Sequence, residues 1–264
     1  MPNNDTQGRE ASHLDMLSGP IAIKMVWFAL PVAGTAFLQQ MLNAADVACR
    51  YASSAALAAV GANAFIINLM TNLFVGLSVG ANVVIARLLG ECDQERVSRA
   101  VHTSIALSIV SGLLLAAIGW QEAERILGWL GTPAEIMSQA VLYFRIYFLG
   151  MPFLMLMNFS AAILRSKGDT RRPLFVMAGS GVVNVALNLL FVVRFHMSVE
   201  GVAIATLVSS ALSSVILVYV LCRERGMLRL RLREVRLHWD ALRSIAAIGI
   251  PAGVQGMMFN FSNV

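Results

Sequence analysis

Asp46 is an acidic residue near the outer end of an apolar run, a place where a charge is costly and usually functional. A carboxylate at the edge of a dry cavity can exchange protons, or it can supply the charge that holds Na⁺ among oxygen ligands. An interfacial Asp just outside the hydrocarbon would need neither role. Asn184 and Asn188 stand four positions apart, so on a helix their amides face the same way. Thr206 follows one turn into the next apolar run. Such groups also serve as plain hydrogen-bond partners between membrane helices. Arg145 is bracketed by Tyr143 and Tyr147, which suggests an aromatic belt with the guanidinium reaching for headgroups rather than a substrate contact. The cluster Met151, Met155 and Met157, drawn from 14 methionines, suits a permissive pocket but is read as core filling.

Other chemistry is missing. The chain has no GxxxxGK[ST] phosphate loop, no HExxH and no GxGxxG after a strand. His13, His102, His196 and His238 lie far apart, and Cys49, Cys92 and Cys222 form no CxxC pair. No enzyme activity, cofactor, zinc site or disulfide framework is expected. Work driven by an ion gradient fits better than work driven by bound ATP.

The elements that must position these groups follow from composition. Of 264 residues, 58% are hydrophobic and 13% charged, against about 25% charged in soluble domains. Too few charges remain to coat a water-soluble body of this size. The fold class is therefore an all-α polytopic membrane protein. Uncharged runs give six candidate spans near residues 21–48, 55–86, 101–120, 136–164, 173–193 and 202–222, and a seventh opens at Ile245. The predicted organisation is a polar tail over residues 1–20, a six-helix bundle over 21–222, a basic linker over 223–244 and the start of helix seven over 245–264. The second span is too long for a bilayer and should tilt or protrude. Residues 121–131 read as a short helix lying at the outer interface.

Sixteen of the 20 Lys and Arg fall on one side of these spans and three, Arg50, Arg125 and Arg194, on the other. Positive-inside then puts the N-terminus in the cytoplasm. The same placement argues against nucleic acid as a partner, despite the net charge of +5. In the 6–7 connection Leu228, Leu230 and Leu232 alternate with Arg229, Arg231 and Arg233. That pattern reads either as a contact with anionic headgroups or as a plain basic linker.

An internal repeat organises the spans. Aligning Pro31 with Pro251 superposes Phe28-Ala-Leu-Pro on Ile248-Gly-Ile-Pro and Asn43 on Asn263, at a period of 220 residues. Six spans would then form one unit, and a second unit would begin near residue 240. Gly76 and Gly80, four apart on one face, let a neighbouring helix approach closely.

Several stretches carry a family resemblance. They are Ala56-Leu-Ala-Ala-Val-Gly61, Gly76-Leu-Ser-Val-Gly-Ala-Asn82, Leu164-Arg-Ser-Lys-Gly-Asp-Thr-Arg-Arg-Pro173, Asn184-Val-Ala-Leu-Asn188 and Gly201-Val-Ala-Ile-Ala-Thr206. Over about residues 20–264 the chain resembles the multidrug and toxic compound extrusion (MATE) family, particularly its bacterial branch, and the Gly168–Pro173 loop is the most specific part. Members of that family have two six-span lobes, so the resemblance makes this chain an N-terminal lobe plus the start of span seven. It implies a secondary antiporter that exports amphipathic, often cationic, small molecules in exchange for H⁺ or Na⁺. It also implies that Asp46, Asn184, Asn188 and Thr206 form an N-lobe cation site. Many members have Asp where Asn188 stands, which leaves Asp46 as the only acid of the cluster. The run Val47-Ala-Cys-Arg50 also departs from the family, with Cys49 where Gly is usual. Partners would be the bilayer, the exported compounds and a C-lobe, if that is encoded separately. The alternatives are a flippase of the same superfamily, which predicts a basic central cavity, and a non-transporting truncated fragment.

Overall fold

A computed structural model describes Gly34 and residues 54–129, 131–195, 197, 199–224 and 226–262, with side chains of the first helix described from Ile66. The tail, the first span with Asp46, and the Pro31 half of the repeat lie outside the described residues, Gly34 excepted. The described residues form eight α-helices and no strand. These are α1 (Ser54–Gly90), α2 (Gln94–Gln121), α3 (Ala123–Trp129), α4 (Ala134–Leu149), α5 (Met151–Ser166), α6 (Arg171–Leu189), α7 (Val199–Arg223) and α8 (Trp239–Ser262). Within α1, α2, α6 and α7 lie four stretches long and apolar enough to cross a membrane, and α4 with α5 supplies a fifth if taken as one bent span. The seventh apolar run is α8, which opens at Trp239 rather than at Ile245 and is not among those four. The first described span is long, as expected: 37 residues, or about 55 Å of helix.

One expectation fails. The run 136–164 is not a single helix but breaks at Gly150, where α4 and α5 meet at 43°. Pro152 stands at the first turn of α5. Its ring cannot share space with the carbonyl four residues back, and it has no N–H to donate there. The neighbouring helix accommodates the bend. A Cβ at Gly112 of α2 would lie 2.4 Å from the Pro152 Cα, so only glycine fits that approach.

The expected close approach at Gly76 and Gly80 is present, and its partner is α8. A Cβ on Gly76 would sit 2.2 Å from Gly253, and one on Gly80 would sit 2.7 Å from the Gly249 nitrogen. The two glycine pairs run antiparallel in constant register, and α8 is thereby seated on α1.

The 6–7 connection is held on α2. Leu228 and Leu230 are buried in one cluster with Val97, Val101, Leu217 and Leu221, while Arg229 between them is exposed and so is Leu232 beyond them. His102, itself buried, accepts a hydrogen bond at Nε2 from the Arg231 N–H at 3.2 Å. Its Nδ1 lies 2.7 Å from the Ser98 carbonyl. The Thr103 hydroxyl accepts from the His238 N–H at 3.1 Å. At the opposite end, α3 lies where the short interfacial helix is expected, with Leu127 buried and Trp129 exposed. Arg145 reaches that end, stacks over Trp120 and pairs with Glu124 at 3.0 Å, so a carboxylate satisfies the guanidinium there.

The Gly168–Pro173 loop turns tightly, as its residues suggest. Gly168 has φ +88°, and the Asp169 carboxylate accepts the Arg172 N–H at 3.1 Å. The loop also clasps Glu224 past the end of α7, through Lys167 and Arg172 at 2.7 Å each. Burial alone would raise the Glu224 carboxyl, but the two cations outweigh it and hold the group below its usual range. A lowered carboxylate contributes stability at pH values above its ordinary value of about 4.3 and loses that contribution as pH falls through the lowered value. Replacing Glu224 with Gln is expected to cost about 1–2 kcal/mol near neutral pH. In thermal unfolding in detergent, the gap to wild type should shrink below about pH 4. A gap that stays constant with pH would contradict the clasp.

Candidate functional site

The polar groups inside the bundle gather where α6 and α7 pack together. Asn184 and Asn188, one turn apart on α6, are both buried, and α6 has no other Asn. An amide in an apolar helix layer must find partners, because leaving it bare costs about 1–3 kcal/mol in proteins. Asn184 Nδ2 donates to Thr206 Oγ1 at 3.4 Å and to Ser209 Oγ at 3.3 Å. Asn188 Nδ2 donates to Asn184 Oδ1 at 3.1 Å. Three of the four expected site residues are thus brought into one string, Asn188 to Asn184 to Thr206. The fourth, Asp46, lies outside the described residues.

Two members of the string escape a reading of sequence. The Ser209 hydroxyl receives Asn184 and itself donates to the Thr206 carbonyl at 3.0 Å. Ser180 donates to the Ser209 carbonyl at 2.8 Å and ties the same two helices. Ser209 is one of four serines on α7, so type alone does not distinguish it, and Ser180 is a lone serine on α6. Only their spacing could have shown them: Ser180, Asn184 and Asn188 form an i, i+4, i+8 row.

Thr206 connects the string to open space. A narrow crevice of about 10 Å³, roughly one water molecule's worth, is lined by Tyr147, Gly150, Leu154, Thr206, Leu207 and Ser210. The break in the fourth span therefore faces the same threonine that receives Asn184. The arrangement offers several neutral amide and hydroxyl oxygens and no formal charge of its own. Such a set can orient a cation or a proton-carrying carboxylate but cannot neutralise either. Among the described residues, no cluster of His, Cys, Asp or Glu could hold a metal ion.

Comparison with known proteins decides the family. Residues 31–190 match the MatE family. This chain belongs to the MatE family. As a MatE chain it is a multi-pass membrane protein of a transporter family, not an enzyme. It is 28% identical over 242 residues to the probable multidrug resistance protein NorM of Thermotoga maritima, a match covering 90% of this chain and 52% of that one. It is 28% identical over 196 residues to the multidrug export protein MepA of Staphylococcus haemolyticus, covering 72% of this chain and 43% of the relative. The solved structure of MATE in the bent conformation superposes with a TM-score of 0.85 at 25% identity, over 91% of this chain and 54% of that one. The chain spans about half the length of the curated relatives it matches.

Proposed function

We propose that this MatE chain is the first half of a secondary antiporter that exports amphipathic or cationic compounds across a bacterial inner membrane in exchange for H⁺ or Na⁺. The observation that carries the reading is the buried amide string from Asn188 through Asn184 to Thr206, which joins three of the four residues of the cation site that the family resemblance implies. Asp46 supplies the charge that the string lacks, and the neutral oxygens position the ion that this carboxylate takes up. Relatives named as multidrug resistance and export proteins support drugs as the cargo. Buried polar residues among those described are Ser, Thr, Asn, one His and one Asp, with no Lys or Arg. That composition favours cationic cargo over the anionic precursors of a flippase, which would call for a basic cavity. The N-terminus lies in the cytoplasm, and a second six-span unit, in the same chain or another, completes the path.

Asp46→Asn in the protein carrying both units tests the assignment. Drug efflux driven by an imposed H⁺ or Na⁺ gradient should fall to background in proteoliposomes, while protein yield stays at the wild-type level. Efflux that persists unchanged would remove Asp46 from the mechanism.

A further inference from the structure

At the arginine-rich end of the bundle, a cavity of about 420 Å³ is lined by Arg172, Tyr219, Val220, Arg223 and Glu224. Its charges are arranged unequally. Glu224 is satisfied by Lys167 and Arg172, and Arg172 also contacts Asp169 Oδ2 at 3.2 Å. These contacts fix the Arg172 guanidinium at the cavity wall. Arg223 stacks 5.3 Å from the Tyr219 ring centroid, and no carboxylate pairs with it among the described residues. Two cations, Arg172 and Arg223, thus stand against one anion, Glu224, which leaves the lining one positive charge in excess. A single phosphodiester matches that excess, and guanidinium groups suit its oxygens in a way an ammonium does not.

Beside the cavity lies an apolar stripe that a soluble anion would not use. Leu212, Val215, Ile216 and Tyr219 are exposed and share one face of α7. That stripe runs straight to Arg223. Phe175, 72% exposed, stands just inside Arg172 on α6. An amphiphile with an anionic head and apolar tails covers both features at once. The inner leaflet, which the arginine-rich end faces under positive-inside, is where anionic lipids concentrate their charge.

We propose that the cavity between the ends of α6 and α7 binds the phosphate of an anionic membrane phospholipid, with the acyl chains laid along Leu212–Tyr219. Arg223 is the principal phosphate ligand, Arg172 the fixed second one, and the clasp on Glu224 sets their spacing.

Native mass spectrometry of the full chain released from detergent reads the binding, with phosphatidylglycerol and phosphatidylcholine of identical chains as probes. One phosphatidylglycerol should be retained at least about fivefold more tightly than phosphatidylcholine. Arg223→Gln should erase that preference, Val220→Trp should fill the cavity and remove the bound lipid, and Arg243→Gln, on the exposed side of α8, should change neither. Equal affinity for the two lipids would overturn the proposal. So would an Arg243→Gln effect as large as that of Arg223→Gln, because the signal would then be general surface charge. Displacement of the lipid by soluble glycerol phosphate at matched concentration would assign the cavity to a soluble phosphate compound instead.

Discussion

Leucine in place of Gly76 is expected to separate α8 from α1 and to abolish export by the protein carrying both units. The reason is that the obstructing atoms are backbone. A Cβ at Gly76 meets the Gly253 Cα and nitrogen at 2.2 Å and the Gly249 carbonyl at 2.8 Å. From the other side, a Cβ at Gly249 meets the Leu77 Cα at 2.7 Å, and one at Gly253 meets the Leu73 carbonyl at 2.5 Å. None of these atoms can rotate away as the end of a side chain could. The helices must part along the whole seam, and without a strong hydrophobic drive between helices in lipid, close packing is what holds them. Overpacking of this kind costs about 3 kcal/mol or more. Thermal unfolding in detergent should show Gly76→Leu well below wild type, with Gly76→Ala between them. A leucine variant that melts with wild type would mean that α8 does not sit on Gly76.

Asn184→Leu is the second substitution of large effect. Leucine keeps the volume but removes both the donor and the acceptor, leaving Asn188 Nδ2, Thr206 Oγ1 and Ser209 Oγ without their shared partner. If the amide string positions the coupling ion, gradient-driven efflux should fall at least about tenfold, equivalent to about 1.4 kcal/mol. Binding of the exported compound, read by fluorescence polarisation of a dye substrate, should change far less. Asn158→Leu provides the contrast, because among the described residues Asn158 Nδ2 bonds only the Leu154 carbonyl on its own helix. Equal losses in the two variants would point to general damage from lost helix polarity, not to coupling.

The residues differ in how openly they announce these roles. Gly76 and Gly80 are legible because a four-residue spacing of glycines has one physical use in a membrane helix. Their partners, Gly249 and Gly253, have the same spacing, yet nothing local says that two helices so far apart in sequence should meet. Asn184 and Asn188 are legible as a pair from spacing, and their link to Thr206 comes from the family resemblance. Ser209 and Ser180 are hidden because serine is cheap to place in any membrane helix and bonds its own backbone. The bend at Gly150 was legible in principle, since Pro152 kinks or breaks a helix, but an uninterrupted apolar run hides it from a count of hydrophobic residues. The alternation of Leu and Arg after Met227 reads as a headgroup contact or a basic linker, and at Leu232, which is exposed, the alternation no longer separates two sides. It does not say that Leu228 and Leu230 face protein.

The hold of α2 on the connection has a consequence for chain continuity. Arg231 is fastened by His102 and His238 by Thr103, with the short 3₁₀ turn Leu232–Glu234 and an exposed stretch between them. Both ends of that stretch are therefore docked on the same helix independently of the peptide bonds that join them. The glycine seam and this docking both hold α8 in register on α1, so a cut within the exposed stretch is expected to leave both new ends seated on α2.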